Sequence, residues 1–189
     1  MIYNRDNKTI QFKIVYHGPG LCGKTTNLHQ IFARVRPDQK ISQEIMEIPT
    51  QEDKTLSFDL MPLSIGSIKG YTATFSFYTV PGQVHYQTSR KLILEDVDGV
   101  VFVADSQKQI RDENIRMLDE LRKIVNNPEL PLVFQFNKRD LPDVMDVETM
   151  QADLIDEDQP FYEAVATQGI GIMETFQTIV RLTVSNNYR

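Results

Sequence analysis

Short apolar runs alternate with longer amphipathic stretches along most of the chain. The runs predict strands near Ile10–His17, Ser57–Ile65, Tyr71–Val80, Val97–Asp105, Leu132–Asn137 and Phe161–Val165. The stretches between them have helical length and spacing at Lys24–Val35, Tyr86–Leu94, Asp112–Asn126, Val147–Ile155 and Ile172–Ser185. Alternation of this kind predicts an α/β protein built on a mainly parallel sheet. One link breaks the rule. Gly66–Gly70 is too short for a crossover helix, so the strands it joins should form an antiparallel hairpin. In the third helix Ile115, Leu118, Leu121, Ile124 and Val125 mark the face turned to the sheet. The segment Arg36–Lys54 shows no sustained periodicity and carries Pro37 and Pro49. A connection that long inside a compact domain is more often functional than idle.

Composition narrows the setting. With 189 residues, 41% of them hydrophobic, the chain suits one compact core, read as a single domain over residues 1–189. A formal charge of −6 gives no case for sequence-independent binding to nucleic acid or anionic lipid. The single cysteine excludes an internal disulfide framework and fits a reducing cytoplasm. No apolar leader, membrane-length run or lipidation signal is visible, so direct membrane insertion is not expected, and any visit to a membrane depends on another protein.

The chemistry begins where the first long apolar run stops. Gly18-Pro19-Gly20-Leu21-Cys22-Gly23-Lys24-Thr25 fits the phosphate-loop pattern G-x-x-x-x-G-K-[ST], between a predicted strand and a predicted helix. Gly20 and Gly23 are expected to turn backbone N–H groups toward a β-phosphate, and the following helix adds its positive end. Lys24 would reach the β- and γ-phosphates, and the Thr25 hydroxyl would meet Mg²⁺, with Thr26 adjoining. Asn137-Lys138-Arg139-Asp140 ends a predicted strand at the carboxyl edge of the sheet, where open α/β folds bind ligands. There Asp140 can accept the ring N1–H and the exocyclic amine of guanine, a donor pair that adenine lacks. Asn137 can meet N7, the Lys138 stem can lie along the base, and Ala166, beside Thr167, can offer its N–H to the guanine carbonyl. Together these residues point to GTP or GDP with Mg²⁺.

Thr79-Val80-Pro81-Gly82-Gln83 matches the guanine-nucleotide switch pattern D-x-x-G-Q, except that the metal-side aspartate is Thr79. With Tyr16 through Leu28, Ser89 through Leu94, Asp98 through Asp105 and Asn137 through Pro142, this makes the chain resemble the bacterial Ras-like GTPases of the gliding-motility protein MglA family, from about Phe12 to Leu182. The resemblance implies a three-layer Ras-like P-loop fold, with a mostly parallel six-stranded sheet, one antiparallel strand, and helices on both faces. It further implies a cytoplasmic GTP/GDP switch that sets cell polarity and motility, brought to a pole by protein partners. Those partners are an MglB-like Roadblock-fold dimer that accelerates hydrolysis and response-regulator-like or tetratricopeptide effectors. The first switch becomes about residues 36–56 and the second about 82–90. Gly82 would sense the γ-phosphate and Gln83 would orient the attacking water. Thr55, or alternatively Thr50, would close on Mg²⁺ and the γ-phosphate.

Two departures matter. Family members carry an arginine just before the first-switch threonine, whereas this chain has Lys54, which keeps the charge but not the two-pronged geometry. An arginine there is worth ~10³–10⁵ in rate, so slow hydrolysis is expected, and a hydrolysis-deficient GTP-bound scaffold stands as the alternative. Thr79 lacks the usual carboxylate, and Asp59 on the second strand is a candidate to supply it if that strand slides on activation. Cys22, near a helix start and Lys24, is either an oxidisable thiol or a filler of the loop. Tyr78 and Tyr86 are candidate partner anchors beside the second switch, or ordinary packing. His17, His29 and His85 lack the spacing of a metal site.

Overall fold

The computed structural model describes residues 1–49, 57–80, 87–156 and 158–187. Strands β1 (Ile2–Asn4), β2 (Thr9–His17), β3 (Met46–Pro49), β4 (Ser57–Ile68), β5 (Tyr71–Thr79), β6 (Gly99–Asp105), β7 (Leu132–Asn137) and β8 (Phe161–Glu163) form one sheet. Its order is β3-β4-β5-β2-β6-β7-β8, with β1 beside β2. Strands β5, β2, β6, β7 and β8 run parallel. Helices α1 (Lys24–Arg34), α2 (Gln87–Leu94), α3 (Arg111–Ile124), α4 (Val147–Leu154) and α5 (Ile172–Asn187) supply the crossovers and the C-terminal layer.

Alternation along β2 divides the core into two. Ile10, Phe12, Ile14 and Tyr16 face α1 and α5, packing with Leu28, Ile31, Phe176 and Ile179. Val15 faces the other way, with Val100, Phe102 and Phe134, against Met117 and Leu118 of α3 and Met150 of α4. Every residue of β6 is buried, as a central parallel strand covered on both faces should be. The result is the expected three-layer arrangement.

Two strands exceed the six expected. β1 pairs antiparallel with Thr9–Gln11 of β2, and β3 pairs antiparallel with Ser57–Leu60 of β4. Both are short and largely exposed, so neither leaves an apolar period in the sequence. β3 lies in the segment read as irregular, which also holds a 3-10 turn at Pro37–Gln39. The β4–β5 hairpin forms as expected but with a tighter turn. β4 runs to Ile68, a bulge between Ser64 and Ser67 absorbs one residue, and Lys69 and Gly70 close the hairpin at φ 51° and 83°. Two successive positive φ values make a primed turn whose twist matches the strands. On α3 the buried face is centred on Asn114, Met117, Leu118 and Leu121, with Ile115, Ile124 and Val125 half-buried at its margins.

Candidate functional site

The carboxyl ends of β2, β5, β6, β7 and β8 bring the motif residues to one edge of the sheet. From β2 the chain enters the phosphate loop. Left-handed backbone falls at Gly18, Leu21 and Gly23 rather than at Gly20. A β-carbon on Gly23 would lie 2.3 Å from Asn137 Nδ2, and one on Gly18 would lie 2.2 Å from the Val103 carbonyl oxygen. Gly18 and Gly23 are therefore required by close approach as well as by φ. The Lys24 ammonium is buried and donates to the carbonyls of Gly18 (3.0 Å) and Pro19 (2.5 Å), which holds its charge over the loop.

Asn137 joins the two halves of the site. Its Nδ2 donates to the Cys22 carbonyl at 2.7 Å, and its Oδ1 accepts the Ala166 N–H at 2.9 Å. Asn137 thereby ties the two loops together. The Ala166 N–H, assigned at the sequence level to a guanine carbonyl, is instead donated to Asn137, so it serves a base only by sharing that bond. Lys138 places its ammonium 2.6 Å from Asp105 Oδ2 at the end of β6, which fixes the direction of its stem. Between these loops lies a cleft of about 300 Å³. Its lining combines Asn137, Lys138, Asp140 and Leu141 from the end of β7 and the loop after it, Ala166 and Thr167 from the loop after β8, and Leu21, Gly23 and Thr26 from the phosphate loop and α1. Asp140 is exposed at this cleft, where a carboxylate can accept paired donors.

On the metal side, Thr25 Oγ1 donates to Asp59 Oδ2 at 2.7 Å, and Thr79 Oγ1 donates to the same oxygen at 2.9 Å. A hydroxyl beside a carboxylate is an all-oxygen donor set suited to Mg²⁺, which binds through one or two carboxylates plus substrate phosphates and waters. Among the described residues no cluster of three or more His, Cys, Asp or Glu side chains could hold a metal by itself.

Several expected roles change in the structure. Cys22 is fully buried, and burial pushes its thiol up from the ordinary value despite the nearby Lys24, so it fills the loop and is not an oxidisable handle. Tyr78 is half-buried, with Phe58 beside it and the Lys13 ammonium 5.4 Å from its ring, and reads as packing. His17 stacks on Phe102, and burial drives its pKa well below the ordinary value. Thr50, Lys54, Thr55, Gly82, Gln83, His85 and Tyr86 lie outside the described residues.

Other supporting residues escaped the sequence reading. Asn27 of α1 donates to Gln135 Oε1 of β7 at 2.8 Å, and Gln135 Nε2 donates to Thr175 of α5 at 3.1 Å. This buried chain connects the phosphate-loop helix, the base-recognition strand and the C-terminal helix. Its only signal in the sequence is one glutamine inside the apolar run Leu132–Asn137. Asp105 is similarly held by Asn114, which accepts its N–H and donates to its carbonyl.

The sequence model of the ADP-ribosylation factor family matches residues 2–182. The chain is 45% identical to the mutual gliding-motility protein MglA of Myxococcus xanthus (strain DK1622), across 96% of this chain and 95% of that protein. It is 30% identical to human ADP-ribosylation factor-like protein 4A over 131 residues, which are 69% of this chain and 59% of that protein. ADP-ribosylation factor-like protein 6 of Caenorhabditis elegans is 28% identical over 137 residues, 70% of this chain and 63% of that protein.

Proposed function

The chain belongs to the ADP-ribosylation factor family of small GTPases, and on that premise we propose that it is a guanine-nucleotide switch controlling cell polarity and motility. The observation that carries this reading is the Asn137 bridge, which joins the Gly18–Thr25 loop to the loops bearing Asp140 and Ala166 in one cleft. A triphosphate on the loop and a guanine against Asp140 then belong to a single ligand.

In this reading Lys24 turns from the Gly18 and Pro19 carbonyls to the β- and γ-phosphates, exchanging neutral acceptors for charged ones. Thr25 and Asp59 stand where Mg²⁺ would be held, and the ion would supply positive charge to the phosphate oxygens when bound. Gly82 reports the γ-phosphate, Gln83 orients water for in-line attack, and Thr55 closes the first switch. The 45% identity to a mutual gliding-motility protein supports the motility role, and the reading extends to an MglB-like Roadblock-fold activating dimer and to polar recruitment of response-regulator-like or tetratricopeptide effectors. Among the described residues no helix is long and apolar enough to cross a membrane.

Lys54 in place of arginine favours a second reading, a GTP-bound scaffold that hydrolyses little. Single-turnover GTP hydrolysis with and without a Roadblock-fold dimer separates the two. Slow turnover that the dimer accelerates supports the switch, and Lys54→Arg should then raise the stimulated rate by about tenfold or more. GTP left intact in both conditions supports the scaffold.

A further inference from the structure

Asp59 and Thr79 face each other across the β4–β5 ladder. The register pairs Leu60 with Tyr78 and Met61 with Phe77, and one further step sets Asp59 opposite Thr79. The Asp59 N–H donates to Thr79 Oγ1 at 2.9 Å, and Thr79 Oγ1 donates to Asp59 Oδ2 at 2.9 Å. The same Oδ2 accepts the hydroxyl of Thr25, the phosphate-loop residue of the metal side, at 2.7 Å. Asp59 is only 7% exposed and Thr79 only 4%, and the hydroxyl contacts hold the carboxylate in place. Among the described residues, no hydrogen-bond donor meets its Oδ1.

A carboxylate that deeply buried needs a reason, since desolvating it costs several kcal/mol unless charge or hydrogen bonds compensate. Two hydroxyl bonds compensate in part. Direct cross-strand neighbours have Cβ atoms about 4.5–5.5 Å apart, so moving a carboxylate from one strand to its partner keeps it within reach of the same point. We infer that this chain has exchanged the two members of the pair: Asp59 of β4 supplies the metal-side carboxylate that the D-x-x-G pattern places at position 79, and Thr79 orients it. The Thr25–Asp59 contact is made in this β4–β5 register. Asp59 is then a positioning residue for the water shell of a hard cation, and the inference rests on the guanine-nucleotide reading above.

The test measures release of a fluorescent GDP analogue from the full chain against Mg²⁺ concentration, and again in EDTA, together with the melting temperature. Asp59→Asn should require about 10–100-fold more Mg²⁺ for slow release, the usual cost of losing a residue that orients a metal's ligands. Its release rate in EDTA and its melting temperature should match the parent. The exchanged double variant, Asp59→Thr with Thr79→Asp, should recover most of the Mg²⁺ response. An unchanged Mg²⁺ midpoint in Asp59→Asn overturns the inference. So does equal acceleration with and without Mg²⁺, which marks a purely structural contact, and so does a double variant no better than the single one. Failure of the unmodified chain to bind the analogue at all contradicts the guanine-nucleotide reading itself, a distinct result.

Discussion

His17 sits one residue before the phosphate loop, fully buried, with neither ring nitrogen hydrogen-bonded among the described residues. Burial and the nearby cations Lys24 and Arg90 keep it neutral in the folded protein. In the unfolded chain it protonates near its ordinary value of 6.5. Folding stability is therefore lost as pH falls through that value, with a slope approaching ~1.4 kcal/mol per pH unit from this one group. Asp146, Asp153 and Glu113, whose pKa values are lowered by an N-cap bond and by arginine partners, weaken the fold only at lower pH, near the ordinary carboxylate range. Urea denaturation between pH 7 and 5 should show the decline, and His17→Phe should flatten it; an unchanged slope in the variant assigns the decline elsewhere. At this scale the motif residues were legible because their chemistry depends on spacing along the chain. Asp105 beneath Lys138, and Asp59 beside Thr25, depend on which strands adjoin and in what register, which no local pattern in the sequence contains.

Among the elements, α2 carries the second-switch end of the site, packs Ile93 and Leu94 into the core, and is tied to α3 by a buried ion pair. Arg90, fully buried, donates from Nε and Nη2 to the two carboxylate oxygens of Glu120 on α3, at 2.7 and 3.0 Å. Removing the charged partner of a buried arginine costs up to about 3–5 kcal/mol. Glu120→Ala should lose stability of that order, and hydrogen exchange should quicken through Gln87–Leu94 well before β6 and β7; uniform protection would contradict the mooring. The long elements were readable because burial imposes a period on them. β6 and β7 read as apolar runs, the second interrupted only by Gln135, and α5 as a helical stripe. β1 and β3 were not, since hydrogen bonds to a neighbouring strand, rather than a buried face, define them. The hairpin was legible in kind, while its exact turn was set by the bulge at Ser64/Ser67 and the primed turn at Lys69–Gly70.

The whole molecule places the described loops of the site at one end of five parallel strands, with two apolar layers holding those strands from either side. Asn137 spans the phosphate and base loops, and the Asn27–Gln135–Thr175 chain braces the helices behind them, so a ligand that occupies both loops also tightens the frame. In the proposed function this frame selects guanine through Asp140. Equilibrium competition of GTP and of ATP against a fluorescent GDP analogue, in excess Mg²⁺, tests it most directly. Asp140 leaves adenine with an unmatched carboxylate, so GTP should displace the analogue at concentrations about 10³-fold or more below those needed for ATP. Equal displacement by the two nucleotides would rule out guanine selection at this cleft.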